Sequence, residues 1–397
     1  MAASSSEDIV LAGGKRSPFG DFGRSLKDVP ASDLAVHAAR AALDHVGLTP
    51  GRIDHLVLGN TLPVDQDGLF GGRVVALKLG MPEDSCAMNV ARACGTGLQA
   101  IVSAGQQLQS GHSRMALAGG VENYSRAPFV VTTGRWGHAR GPQVMTDMLD
   151  YCYRDPFNGE YMGETAENLA DEFGYDRDAM DEWALMSQRR AGQGQASGFL
   201  ARQIAPITVP DGRGVRVFDM DEFPRPNITP ERLAGLKPAF RKDGRVTAGN
   251  SSGVTDGAAF VVMTTRDEAR RQGIEPLVRL VDWAVVGVPP RIMGIGPVPA
   301  IAKLFERTGL EVDDIDYFEI NEAFAAVNLH AERELKIPRD RTNLYGGGIS
   351  IGHPPGATGV RMALTAIDHL RETGGRRAVL SMCLGAGQGM AVLIERA

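Results

Sequence analysis

Short apolar runs, often β-branched, alternate along the chain with stretches of helical periodicity. Asp8-Ile9-Val10-Leu11-Ala12-Gly13 reads as a strand. An alanine-rich helix follows, with Ser32 placed to cap its start and Gly47 just past its end near His45. Ile53 to Leu58, Ser85 to Val90, Met115 to Ala118 and Tyr317 to Ile320 read as further strands, and Leu98 to Gln109 as a helix. Strands that are apolar throughout and separated by helices predict a largely parallel, buried sheet in an α/β fold.

The pattern occurs twice. Gly47-Leu48 leads into Ile53-Asp54 and the strand His55 to Leu58; Gly309-Leu310 leads at the same spacing into Ile315-Asp316 and the strand Tyr317 to Ile320. Further on, Cys94-Gly-Thr-Gly opens a helix that precedes the strand ending at Gly119-Gly120. His353-Pro-Pro-Gly-Ala-Thr-Gly opens a helix that precedes the strand ending at Cys383-Leu384-Gly385. Two ordered fragments at nearly equal offset indicate two homologous α/β halves. Between them, from about Asn123 to Ser252, lies a helical and loop-rich segment with most of the Pro-turn clusters, such as Asp221-Glu-Phe-Pro-Arg-Pro-Asn227.

Composition narrows the class. The 397 residues are 43% apolar and 23% charged, which suits a folded chain of two or three domains. With 42 basic and 48 acidic residues the net charge is −6, and no basic excess is available for a nucleic-acid backbone. The four cysteines are far apart, without a C-x-x-C pair, so neither a disulfide scaffold nor a zinc site is expected, and a reducing, cytoplasmic setting fits. Met1 to Val10 lacks the basic and apolar regions of a signal peptide, Glu395-Arg396-Ala397 is not a peroxisomal address, and no apolar run suggests a membrane span. The unusual number is 49 glycines, well above the ordinary share of about 7%. With only 22 prolines and no collagen period, they ask for tight turns and close backbone approaches.

Many of those glycines surround residues that can carry chemistry. Cys94 sits at a strand-to-helix turn with Gly95 and Gly97 beside it. Free N–H groups at a helix start favour thiolate and can bind a thioester oxyanion. The bland alternative is a small buried residue at a tight turn. His353 lies in the densest glycine cluster, Tyr345 to Gly359, where it can serve as base to a thiol or simply bond the backbone. Cys383 ends a strand and precedes Gly385, Gly387 and Gly389; it is either core or a thiol held near a ligand. Asn321 follows the strand Tyr317 to Ile320, where it can orient a water or imidazole, or cap a helix. Thr247 to Gly257 is a polar loop able to wrap a long ligand arm. Cys86 and Cys152 read as structural or incidental. A nucleophilic Cys, a His base and a second Cys as acid/base together fit acyl transfer through a thioester.

In order along the chain, Cys94-Gly-Thr-Gly, Asn321-Glu-Ala-Phe-Ala, Gly352-His-Pro-x-Gly-Ala-x-Gly and Cys383-x-Gly-x-Gly-x-Gly resemble the motifs of the thiolase family. Met162-Gly-x-Thr-Ala-Glu-Asn168 and Thr247 to Gly257 add to a resemblance that spans essentially the whole chain. It implies a five-layered αβαβα fold of duplicated halves (residues 1–123 with 253–275, and 276–397) and an inserted loop domain, 124–252, that binds CoA. It implies that Cys94 is acylated by acyl-CoA and that His353 activates it. With a water held by Asn321, His353 would also form one oxyanion hole, while the N–H groups of Cys94 and Gly385 form the other. Cys383 would deprotonate the second acetyl-CoA. Arg225, Leu236, Phe240, Ala248 and Ser252 would contact the nucleotide and pantetheine, and Met162, Tyr161, Ala323 and Phe324 the pantetheine and acyl region. The implied activity is reversible condensation of two acetyl-CoA to acetoacetyl-CoA and CoA, or cleavage of longer 3-ketoacyl-CoA. CoA thioesters are substrates, no metal or resident cofactor is called for, and a homotetramer is expected. Ala91, Thr96, Tyr161, Pro355 and Thr358 depart from the usual pattern; Tyr161, where biosynthetic members carry His, bears most on acyl preference. A ketosynthase-like enzyme would not carry Cys at 383. A non-catalytic acyl-CoA binder would lack one of Cys94, His353 or Cys383. A dinucleotide dehydrogenase would open its first helix with G-x-G-x-x-G.

Overall fold

The structure is a computed structural model describing residues 8–138 and 140–397; the reading of Met1 to Glu7 lies outside them. Nine strands form the frame. They are β1 (Ile9–Arg16), β2 (His55–Gly59), β3 (Cys86–Val90), β4 (Met115–Glu122), β5 (Thr255–Thr265), β6 (Val278–Gly287), β7 (Tyr317–Ile320), β8 (Arg377–Leu384) and β9 (Gln388–Arg396). Their order is β7-β8-β9-β6-β1-β5-β4-β2-β3, with the short strand Gly20–Asp21 added to β5. The duplication is plain in that order. The first half runs β3-β2-β4-β5-β1; the second runs β7-β8-β9-β6, with an isolated bridge from Phe318 to Thr342 where a counterpart of β3 would lie. The halves join where β1 meets β6, at Val10 opposite Arg279 and Leu11 opposite Val278.

The sheet is mixed rather than largely parallel. Only β2–β3, β2–β4 and β7–β8 are parallel; the other pairs between named strands are antiparallel. Apolar runs signal burial on both faces, and antiparallel strands share that signature when helices cover both sides. The chain returns from β8 to β9 through a tight turn at Gly385–Gly387, and such a hairpin can only join antiparallel strands.

The longer helices are α1 (Ala31–Val46), α2 (Gln66–Leu79), α3 (Thr96–Gln109), α4 (Met162–Phe173), α5 (Arg177–Ala196), α6 (Pro297–Thr308), α7 (Ala325–Leu335) and α8 (Pro355–Thr373). Strict alternation along the strands sorts them into layers. Ala116, Ala118, Val261, Met263, Ala378, Leu380, Val392 and Ile394 share one core with α3 and α8. The intervening Leu117 and Val262 pack with α1 and α2, and Val379, Ala391 and Leu393 with α6. The result is five layers, helix–sheet–helix–sheet–helix. α8 is buried along nearly its whole length, as a central helix must be. Ser32 does not cap α1: Pro30 stands at that position, and the Ser32 hydroxyl donates to Asp67 instead (2.7 Å). The middle segment leaves the frame between β4 and β5, carrying α4, α5 and a hairpin of Ile207–Asp211 with Gly214–Phe218. No helix among the described residues is long and apolar enough to cross a membrane.

Candidate active site

α3 and α8 are equivalent helices of the two halves, and their N-termini abut. A Cβ on Gly97 would stand 2.9 Å from the Gly356 carbonyl, one on Gly359 2.3 Å from the Leu98 nitrogen, and one on Gly120 2.2 Å from the Gly356 carbonyl. Backbone cannot yield as a flexible side chain can, so only glycine permits this crossing. Two residues ahead of α3 stands Cys94; two residues ahead of α8 stands His353. The repeat therefore delivers a thiol and an imidazole to one point. Ala93, just before the thiol, is held at φ 44°, a left-handed conformation uncommon for a residue with a Cβ and typical of turns shaped for function.

Cys94, His353 and Gly385 line one cavity of about 290 Å³ together with Met162, Ser252, Ala323 and Phe324. Burial raises the Cys94 thiol, while the N–H groups of Gly385 and of Cys94 itself point at the sulfur and oppose the rise. The same pair of donors can hold an oxyanion formed on a thioester carbon attached there. Cys383 is wholly buried behind the cavity wall; burial first, then the neighbouring Cys94, pushes its thiol up. His353 Nδ1 lies 2.7 Å from the Thr358 hydroxyl, which donates to the Pro354 carbonyl at 2.9 Å. With that proton engaged, the oxygen accepts from Nδ1–H, which leaves Nε2 as the acceptor nitrogen of the ring. Asn321 Nδ2 stands 3.3 Å from Nε2, and its Oδ1 is buried without a partner. Asn321 is not a helix cap: α7 begins four residues later, at Ala325, behind Phe324.

Burial, reinforced by the Arg361 guanidinium, lowers His353 to about 3, so the resting pair is a neutral thiol and a neutral imidazole. Below its ordinary value near 6.5 the unfolded chain protonates His353 and the folded chain does not, so stability falls as pH drops from there towards 3. Melting temperature should therefore fall less steeply on acidification in His353→Gln than in the parent protein. Parallel curves would refute this origin of the acid sensitivity.

Other residues expected at the site lie further out. The Tyr161 ring is turned from the cavity, its hydroxyl donating to Asp150 (2.7 Å) and the Arg154 guanidinium over its face at 3.9 Å. Phe240 packs over Gly163, with ring centroids 6.3 Å from Phe324 and 6.4 Å from Tyr161. Leu236 joins the core of the inserted segment, Ala248 is exposed, and Arg225 reaches the surface 3.7 Å from Asp21. Sequence reasoning missed several wall residues: Thr61, Tyr124, Cys152, Tyr153 and Met293. Tyr124 could have been found, since it lies just past β4 at the sheet edge where ligands gather. Cys152, read as incidental, is exposed on the wall near Cys94. Glu322, beside Asn321, binds the inserted segment to the frame. Its buried carboxylate accepts from Trp183 Nε1 (3.1 Å), Ser187 Oγ (2.6 Å) and Asn343 Nδ2 (3.1 Å). Among the described residues no group of three or more His, Cys, Asp or Glu could hold a metal.

Family models agree with this architecture. The one described as "Thiolase, N-terminal domain" matches residues 9–267, and "Thiolase, C-terminal domain" matches 274–396. A probable acetyl-CoA acyltransferase of Staphylococcus aureus is 42% identical over 393 residues, 98% of this chain and 99% of that protein. The beta-ketothiolase BktB of Cupriavidus necator is 42% identical over 390 residues, again 98% and 99%. The crystal structure of human mitochondrial 3-ketoacyl-CoA thiolase in complex with CoA superposes with a TM-score of 0.95 at 39% identity, covering 98% of each chain. The chain is an acyltransferase of duplicated α/β architecture. It belongs to the thiolase family.

Proposed function

We propose that the protein is an acetyl-CoA C-acetyltransferase that condenses two acetyl-CoA reversibly to acetoacetyl-CoA and CoA by a ping-pong route. The observation that carries this reading is the shared cavity: Cys94 and His353 open into it from paired helix starts, with Cys383 directly behind. The Cys94 sulfur attacks the thioester carbon as its proton passes to His353 Nε2. The N–H groups of Cys94 and Gly385 hold the oxyanion. The C–S bond to CoA then breaks, and His353 returns the proton to the departing CoA sulfur. In the second half, the Cys383 proton passes to His353 Nε2, and the resulting thiolate takes a proton from C2 of another acetyl-CoA, whose enolate oxygen accepts from His353 Nε2–H and from a water on Asn321. The carbanion attacks the acyl-Cys94 carbon, the C–S bond to Cys94 breaks to release acetoacetyl-CoA, and His353 returns its proton to the Cys94 sulfur. Neutral resting thiols suit this sequence, since each is activated only beside its substrate.

A second reading is a 3-ketoacyl-CoA thiolase accepting longer chains. It is favoured by the large Tyr124, Tyr153 and Met293 side chains, which give the cavity that Cys94 lines a broad, mostly apolar wall. In both readings residues 124–252 form the CoA-binding loop domain between the halves 1–123 with 253–275 and 276–397, and Arg225, Leu236, Phe240, Ala248 and Tyr161 border the CoA path outside the cavity. CoA thioesters are substrates rather than a resident cofactor. A homotetramer in the cytoplasm completes the proposal. The resemblance and the CoA complex of the human thiolase support the CoA assignments.

The test is thiolysis of acetoacetyl-CoA and of longer 3-ketoacyl-CoA by the purified protein with free CoA. Cleavage of acetoacetyl-CoA at the highest kcat/KM supports the first reading; a preference for longer chains selects the second. No cleavage at any length refutes both. Sedimentation checks the tetramer.

A further inference from the structure

Glu122 ends β4 and is wholly buried. Its Oε1 accepts from Asn60 Nδ2 (2.7 Å), Thr61 N–H (3.0 Å) and Leu62 N–H (3.0 Å), and its Oε2 from Gly356 N–H (2.9 Å). No Lys, Arg or His among the described residues forms an ion pair with it. A buried carboxylate without a counter-ion is costly, and one held by several neutral donors is a specific construction. The donors come from both halves. Thr61 and Leu62 follow β2 in the first, and Thr61 lines the cavity. Gly356 lies in the first turn of α8 in the second, three residues past His353 and next to Pro355, which also lines the cavity. The Gly356 N–H is one of the helix-start donors that have no partner within the helix. The carboxylate therefore caps α8 across the interface between the halves and ties its start to the strand edge beside Cys94.

We propose that Glu122 is a positioning residue for acyl transfer, whose ionised carboxylate holds the His353 turn and the Thr61 wall in register with Cys94. This rests on the thiolase reading above. Ionisation matters because all four donors need acceptor lone pairs; a protonated carboxyl presents a hydrogen to one of them and loses that grip. Burial pushes Glu122 up to about 7, against the pull of its N–H donors. The titratable groups around it are Cys94 and Cys152, Tyr124 and Tyr153, each raised by burial and each sensing its charge, with His353 at the α8 end. All of these are neutral near pH 7, so Glu122 is the group among them that changes charge there.

The experiment compares the parent enzyme with Glu122→Gln and Glu122→Asp across pH, reading thiolysis and, separately, the alkylation rate of Cys94 by iodoacetamide. Parent kcat should fall as pH drops through about 7. Glu122→Gln, which must turn an amide N–H₂ towards one set of donors, should lose at least about tenfold in kcat with KM nearly unchanged, and should lose that acid limb. Glu122→Asp keeps the charge and should recover the limb and part of kcat. A Glu122→Gln enzyme with parental kcat and limb overturns the proposal. So does an aspartate variant no better than the glutamine variant, including the case where glutamine fails to fold. If the parent cleaves no 3-ketoacyl-CoA, the thiolase reading fails, but alkylation still decides: an identical pH profile in parent and Glu122→Gln overturns positioning by Glu122.

Discussion

Replacing Cys94 with alanine should reduce cleavage of acetoacetyl-CoA by on the order of 10⁴-fold or more, the scale on which loss of a covalent nucleophile acts. Two backbone N–H groups are directed at the Cys94 sulfur, its own and that of Gly385. Without the sulfur no acyl-enzyme forms, so both directions stop together. Cys383→Ser should behave differently. Cys383 is buried behind the wall and does not border the cavity that receives the first thioester. Incubation of Cys383→Ser with labelled acetyl-CoA should still label the protein at Cys94, while condensation drops nearly as far as in Cys94→Ala. Two results would overturn this division: robust turnover by Cys94→Ala, or failure of Cys383→Ser to become labelled. Serine preserves shape at 383, so the second result could not be put down to a cavity.

Much of this site was legible because duplication and glycine placement leave marks in the sequence. The recurrence of Gly47-Leu48…Ile53-Asp54 at Gly309-Leu310…Ile315-Asp316 corresponds to a repeated strand order, and it explains why Cys94 and His353 end at matching places. The glycine excess has a more specific cause than turns or ligand space. Gly97, Gly120, Gly356 and Gly359 let two helix starts and a strand edge touch backbone to backbone. Strand direction was not legible, since an apolar run records burial on both faces and not the sense of its neighbour. Wall residues such as Tyr153 and Met293 were hidden as well, because they reach the cavity by tertiary folding of segments with no local motif. Tyr161 shows the converse. The resemblance placed it in the acyl region, where biosynthetic members carry His, whereas here its hydroxyl donates to Asp150 and the Arg154 guanidinium covers its face. Neighbours in sequence at a helix start point in different directions, and an ion-pairing partner can decide which one faces a ligand. Glu122 was passed over for a related reason, as a carboxylate held by neutral donors, most of them backbone N–H groups, has no charge-pairing signature in the sequence.

Arg361→Met should destabilise the fold by about 3–5 kcal/mol, the cost of stranding one charge of a buried pair. Arg361 is fully buried on the central helix α8, and its guanidinium bonds Glu319 on β7, whose side chain is 1% exposed. Methionine fills much of the same space but leaves the Glu319 carboxylate with only the Tyr317 hydroxyl as donor. Burial already raises Glu319, and Arg361 is the strongest influence opposing that rise. Removing the arginine raises it further, so the folded variant holds a proton that the unfolded chain releases above its ordinary range. The destabilisation should therefore be largest at neutral and higher pH, and shrink as pH falls towards the point where Glu319 is protonated in both states. The double variant Arg361→Met/Glu319→Gln removes the stranded charge while keeping an acceptor for Tyr317, and should regain most of the loss. Denaturant midpoints of the parent, single and double variants at two pH values measure all of this. A single variant as stable as the parent would show that the pair contributes nothing beyond packing. A double variant no better than the single one would show that the cost lies in lost volume and not in charge. The pair also touches the chemistry, because Asn321 stands two residues beyond Glu319 and Arg361 opposes protonation of His353. The double variant should accordingly fold well and yet protonate His353 more readily than the parent does.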